Sequence, residues 1–332
     1  MKIDFEHQQA AHCENGAVSN LLNFHGLKLS EPMVFGIGSG LFYSHFPFIK
    51  LNGIPATSYR ILPGHVFKRL SKRLGIKVKR EKFSNKEKAM RHLDEELERG
   101  QPVGMLTSVF YLPYLPKAFR FHFNAHNVVA FGKEGNKYLI SDPVMNEPTE
   151  IEREDLIRAR FAKGMPSTSG RMYYPTYVPQ NIDLSEGIRK GIRKTASDMA
   201  TIPVPIFAVN GIRYVAKRLP KWPDKLGDRK AILYLGQIIR MQEEIGTGGA
   251  GFRFIFAAFL QEAAEYLNMP ELKEDSLEMT KIGDRWRDFA FSAGRICKGR
   301  KADTDSYAAL SEIMFECAER EEALFKKLLK MF

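Results

Sequence analysis

Near residue 180 the hydropathy of this chain changes period. Up to that point, short apolar runs with β-branched alternation are interleaved with amphipathic stretches. Beyond it, residues 231–244, 252–267, 284–297 and 307–332 each carry an apolar stripe at helical spacing with charged flanks. Sheets and helices bury their apolar faces against different kinds of layer, so a chain that changes period is expected to build two cores. The run Tyr174-Pro175-Thr176-Tyr177-Val178-Pro179-Gln180, with its two prolines, reads as the linker. The expected architecture is α+β: a mixed domain over 1–178, then an all-helical domain over 183–332. A length of 332 residues agrees with this at ~100–200 residues per domain.

Within the first domain, Cys13 opens the apolar-periodic segment Ala17, Val18, Leu21, Leu22, Phe24, which stops at Gly26. That spacing predicts a buried helix with Cys13 in its first turn. Residues 29–35 read as a helical turn leading to Gly36, Gly38 and Gly40. These glycines lack the Lys-Ser/Thr of a phosphate loop, and are expected to allow close backbone packing near the helix of Cys13. Residues 66–74 and 86–99 read as helices, and 75–78 and 102–109 as strands. Residues 119–131 and 138–141 read as paired strands joined by the turn Lys133-Glu134-Gly135-Asn136. If Gly132 pairs with Lys137, His126 falls opposite Pro143 and beside Asp142.

Composition excludes several classes. With 44% hydrophobic and 27% charged residues the chain is neither disordered nor fibrous. No apolar run approaches the ~18 residues of a membrane span, and the start of the chain turns polar at once. Cys13, Cys297 and Cys317 are too scattered for a disulfide framework or zinc ribbon, so free thiols and a cytoplasmic location are expected, with no metal. The net charge of +11 is concentrated: between Arg60 and Arg91 there are 12 basic residues against Glu81 and Glu87 alone. Such a patch, with Lys68, Arg69, Lys72 and Arg73 at its centre, suits either an acidic partner or a solvated helix face. No nucleic-acid motif accompanies it, so no nucleic-acid partner is expected.

Nucleophilic catalysis by cysteine requires a thiolate, a base within hydrogen-bond reach and a group that orients the base. Cys13 at a helix start is helped by the helix dipole, His126 is the candidate base and Asp142 the orienting carboxylate. Gln8 and Gln9 are candidates to supply a side-chain amide to an oxyanion hole beside the Cys13 N–H. The order Gln, Cys on a helix, His on a strand, Asp on the next is that of papain-like cysteine enzymes. Alternatives stay open: His12 and His25 compete as base, and Asn127 and Asn15 as the orienting group. His122 and His126 sharing a strand face would allow metal ligation, although a third ligand is missing.

His12-Cys13-Glu14-Asn15 and the run from Leu29-Ser30-Glu31-Pro32-Met33 to Gly36-Ile37-Gly38-Ser39-Gly40 closely resemble the N-terminal domain of the butirosin biosynthesis protein H family. Glu243-Glu244-Ile245-Gly246-Thr247-Gly248-Gly249, Phe252-Arg253 and Phe259 to Ala264 look like its companion C-terminal domain. The resemblance implies a papain-like cysteine peptidase-type fold and an acyltransferase, with Cys13 as nucleophile, His126 as base and Asp142 as orienting group. It implies transfer of an acyl group from the thioester of an acidic acyl carrier protein to an amine or hydroxyl of a small-molecule acceptor in specialised-metabolite biosynthesis. No cofactor of the chain's own is implied, since the 4'-phosphopantetheine arrives on the partner. The basic patch, with Lys68, Arg69, Lys72 and Arg73, would steer the carrier into place. Two further readings remain: a cysteine hydrolase (peptidase, amidase or thioesterase) with the same triad, and a carrier-binding scaffold with a decayed triad.

Overall fold

Six antiparallel strands form the sheet on which the candidate site is built. In the computed structural model, residues 1–51, 53–164, 166–300 and 302–332 are described. The chain begins with helices α1 (Cys13–Phe24) and α2 (Glu31–Ile37), then a hairpin of β1 (Leu41–Leu51) and β2 (Ile54–Arg60). It continues through α3 (His65–Arg73), β3 (Lys77–Glu81), α4 (Lys86–Glu98) and β4 (Val103–Thr107). An irregular stretch then leads to β5 (His126–Glu134), β6 (Lys137–Ser141), β7 (Thr149–Glu152), α5 (Arg153–Arg160) and β8 (Met172–Tyr177). The remaining helices are α6 (Ser185–Thr201), α7 (Ala208–Arg218), α8 (Trp222–Leu226), α9 (Asp228–Ile239), α10 (Arg253–Tyr266), α11 (Glu271–Cys297) and α12 (Tyr307–Met331).

These elements form two units. The first comprises Met1–Val34 with Phe67–Ile182, and the second Phe35–Val66 with Asp183–Phe332. The expected domain of residues 1–178 is thereby corrected: the segment holding β1 and β2 belongs with the helices. Residues 183–332 are helical, but the unit they build is completed by a hairpin.

In the first unit the strand order is β3-β8-β4-β5-β6-β7. Its core gathers Ala17 and Leu21 of α1, Met90, Leu93 and Leu97 of α4, and the apolar residues of β4, β5 and β6. Alpha-helix α4 starts where Asn85 Oδ1 accepts the Lys88 N–H, and stops before Gly100, whose φ of 74° few other residues adopt. The supposed linker is corrected too, since Tyr174 to Tyr177 lie in β8. Pro175 is tolerated there because β4 pairs only with Met172 and Tyr173, leaving the later part of β8 open on that side.

In the second unit Arg253 and Glu321 form a fully buried ion pair, with Nε–Oε1 and Nη2–Oε2 both 2.9 Å. The Trp286 Nε1–H donates to Glu321 at 2.7 Å, and the Arg253 guanidinium lies over the Tyr59 and Trp286 rings. Gly36 and Gly40 serve this unit rather than the helix of Cys13. A side chain on Gly36 would strike the Phe259 ring, and one on Gly40 the ring of Phe35.

Candidate active site

Cys13 is the first residue of α1. The preceding turn is fixed by Glu31, whose carboxylate accepts the N–H groups of Ala11 (2.9 Å) and His12 (2.7 Å). Burial pushes the Glu31 pKa up, and those two bonds offset only part of it. His12 is the N-cap, extended in backbone, with Nδ1 accepting the Asn15 N–H at 3.4 Å. Every residue from Cys13 to Leu22 is buried, so the helix meets protein on all sides. The Asn20 amide donates to Gln8 O and Ser141 Oγ, and Ser19 Oγ donates to Leu29 O, which satisfies part of the polar surface that this burial traps. Asn20 Oδ1 and the Asn15 side-chain amide are buried without such a partner among the described residues.

His126 opens β5, and Asp142 follows the last residue of β6. His126 Nε2 lies 2.8 Å from Asp142 Oδ2, with Asp142 fully buried. The remaining capacity of this carboxylate is taken by the Tyr114 hydroxyl (2.9 Å) and the Val144 N–H (3.2 Å). The expected register is corrected. Glu134 pairs with Lys137 around the two-residue turn Gly135-Asn136, with Gly135 at φ 60°. An irregularity between Ala130 and Gly132 takes back one of the two residues by which the pairing differs, and His126 still reaches Asp142.

Burial alone would lower the His126 pKa, but the Asp142 carboxylate and the Cys13 sulfur outweigh it and hold the imidazole well above its usual 6.5. With Nε2 committed to Asp142, Nδ1 is the ring nitrogen left for the sulfur. Cys13 Sγ also lies 4.0 Å from Ala125 O and 4.0 Å from Asn127 Nδ2. The other two cysteines are unlike it: burial raises the pKa of both Cys297 and Cys317, and no imidazole is among the causes acting on either.

Gly16 sets how closely α1 approaches the aspartate. A methyl group there would lie 2.5 Å from the Cβ atoms of Ala10 and Pro143. Without it, the Ala10 N–H bonds Pro143 O at 2.7 Å, and His7 bridges Ser141 Oγ and Met145 O. A glycine three residues after Cys13 in an apolar helix was the sequence signal for this contact. Nothing in the sequence marked Tyr114.

Several candidates fall elsewhere. Gln8 and Gln9 are exposed; the Gln8 amide donates to Glu6 and its oxygen accepts from Asn23, near the far end of α1. The oxyanion role expected of these glutamines is thus corrected, because the chain before Cys13 runs along the helix flank. His25 caps the C-terminus of α1, about 18 Å from Cys13 at 1.5 Å per residue. Phe119 ends a 3-10 turn and residues 120–125 are irregular rather than strand, and His122 stacks on Phe110 with ring centroids 4.1 Å apart, so His122 and His126 share no strand face. No group of three or more His, Cys, Asp or Glu side chains placed for a metal ion occurs among the described residues.

Of the four central patch residues, Lys68 and Lys72 are exposed on α3, while Arg69 and Arg73 are half-buried. The patch continues along edge strand β3 through Lys77, Lys79 and Arg80. Among the described residues, no helix is long and apolar enough to cross a membrane.

A helix headed by cysteine, laid on an antiparallel sheet whose adjacent strands deliver histidine and aspartate, defines an α+β protein of the papain-like cysteine class. The chain belongs to the family described as Domain of unknown function (DUF4872), whose model matches residues 154–328, more than half of its length. Residues 12–143 match the model described as Butirosin biosynthesis protein H, N-terminal, in line with the resemblance read from the residues around Cys13. A crystal structure described as a C39-like peptidase from Bacillus anthracis is similar at 15% identity and a TM-score of 0.38, covering 54% of this chain and 100% of that one. No curated protein matches.

Proposed function

We propose that the protein is a cysteine acyltransferase that takes an acyl group from a carrier-protein thioester and delivers it to an amine or hydroxyl. The observation that carries this reading is the buried Cys13–His126–Asp142 array, with its 2.8 Å His–Asp bond and an imidazole whose pKa Asp142 and the Cys13 sulfur push up against its burial. The Cys13 thiolate attacks the thioester carbon. The new S–C bond forms as the carbonyl electron pair moves onto oxygen, and collapse expels the carrier's thiolate, which takes the proton from His126. The acceptor then attacks the S-acyl group while His126 removes its proton, and Cys13 leaves as thiolate. Transfer to an amine is downhill, because an amide is more stable than a thioester.

Two features favour a delivered acyl group over an arriving peptide. Cys13 is 7% exposed and Asp142 wholly buried, which limits water at the bond being exchanged. Basic side chains on α3 and β3 would attract an acidic carrier and its 4'-phosphopantetheine arm, and Arg80 is the register partner of Tyr173, whose hydroxyl donates to Asn127 beside Cys13. The test is single-turnover incubation with an acyl-loaded carrier protein at low and high salt, read by intact-protein mass spectrometry. An acyl adduct on Cys13 that forms more slowly at high salt and persists until an amine is added is the expected result. An adduct lost rapidly to water marks a hydrolase, and no adduct at all overturns the reading.

A further inference from the structure

With Gln8 and Gln9 turned to solvent, a thiol enzyme built on this array lacks the side-chain amide that the oxyanion requires. The geometry points to Asn127 as that group: we infer that Asn127 Nδ2 donates to the oxyanion formed on the acyl carbon attached to Cys13, with Tyr173 as the positioning residue. The inference rests on the acyl-transfer reading above and adds a residue to it.

Which end of the Asn127 amide faces the sulfur is settled by chemistry. The Ala125 carbonyl, which can only accept, lies 3.2 Å from one end, so that end is the NH₂. The opposite end accepts the Tyr173 O–H at 2.8 Å. One N–H is therefore committed to Ala125 and the other is left for Cys13 Sγ at 4.0 Å. That distance is long for holding a sulfur. It suits an oxygen carried on the carbon bonded to that sulfur, since an oxyanion donor needs to come within about 2.7–3.1 Å of the oxygen rather than of the nucleophile.

The sheet is shaped to hold this amide. Gly104 on β4 pairs with Tyr173 on one side and Val129 on the other, so Tyr173 and Asn127, two residues before Val129, share one sheet face. A Cβ on Gly104 would lie 2.3 Å from the Tyr173 ring. The missing side chain is the gap through which Tyr173 crosses β4 to reach Asn127 on β5. Burial, followed by Glu14 and Cys13, pushes the Tyr173 pKa well above 10, so its hydroxyl stays a donor.

Two probes separate this role from a merely structural one. Iodoacetamide alkylates Cys13 by displacement at a saturated carbon and develops no oxyanion; an S-acetyl N-acetylcysteamine thioester acylates it through a tetrahedral oxyanion. Asn127→Asp keeps the shape but cannot donate from that end when ionised, and Asn127→Ala removes the group. Both are expected to slow acylation about 10²–10³-fold. Alkylation of Asn127→Ala, followed at the pH optimum of each protein, should stay within a few-fold of wild type. Tyr173→Phe should slow acylation about tenfold, and add nothing in the Asn127→Ala background. Acylation unchanged in Asn127→Ala, or alkylation falling by the same factor as acylation, overturns the inference while leaving the proposed function intact. A wild-type protein that alkylates at Cys13 but accepts no acyl group overturns both.

Discussion

Each unit of this molecule buries a charged pair, and the two pairs are finished differently. Arg253 and Glu321 meet through two hydrogen bonds, the spare Arg253 Nη1 donates to Gly251 O, Trp286 caps the carboxylate, and two rings cover the cation. Each guanidinium nitrogen and both carboxylate oxygens have a partner, so the pair holds helices together. In His126–Asp142 the carboxylate is equally well satisfied, but the imidazole keeps its second nitrogen for the Cys13 sulfur, which lies 4.0 Å from both Ala125 O and Asn127 Nδ2. Burial costs both pairs solvation; in the second the imidazole also faces the sulfur of Cys13, the proposed nucleophile.

Asp142→Asn should break the comparison most strongly, lowering acylation of Cys13 by about 10²–10⁴-fold with a small change in unfolding free energy. Its pH signature follows from the direction of the His126 shift. Without the carboxylate, burial dominates and the imidazole loses its proton at lower pH, so rapid alkylation of Cys13 retreats to higher pH. The charged His126 also stabilises the wild-type fold. That contribution is fully present below pH ~6.5 and fades as pH rises through the raised folded value, and the variant should lack it. An unchanged alkylation profile would mean that the pair is as inert as Arg253–Glu321.

Arg253→Met tests the other side, because it strands a buried carboxylate and should cost ~3–5 kcal/mol in urea unfolding. Replacing both partners, as Arg253→Met with Glu321→Leu, should return most of that loss; a double variant as unstable as the single one would show that the pair does more than fill a core. The smallest expected effect is that of Gly16→Ala, whose methyl group pushes α1 off Pro143. It should cost ~1–3 kcal/mol and about tenfold in acylation. Wild-type rates there would mean that the spacing between Cys13 and Asp142 is set elsewhere.

The hairpin β1–β2 shows where pattern reading stops. The pattern yields no element for residues 41–60, and only packing assigns these strands to the helical unit, because that choice depends on which distant surface Tyr43 and Tyr59 fill. The prolines of 174–180 misled for a related reason: Pro175 is excluded from a strand paired on both sides, and the sequence does not tell which part of β8 is paired on one side only.

Local chemistry by itself determined that Cys13 heads a buried helix, that Gly26 ends it, and that a turn folds residues near 126 onto residues near 142, since each depends on side chains a few positions apart. Tertiary structure alone decided that Gln8 faces solvent, that Asn127 faces the sulfur, and that a ring from β8 crosses Gly104 to hold it. Those outcomes depend on strand order, and strand order is set by burial summed over the whole core rather than by any neighbouring residue.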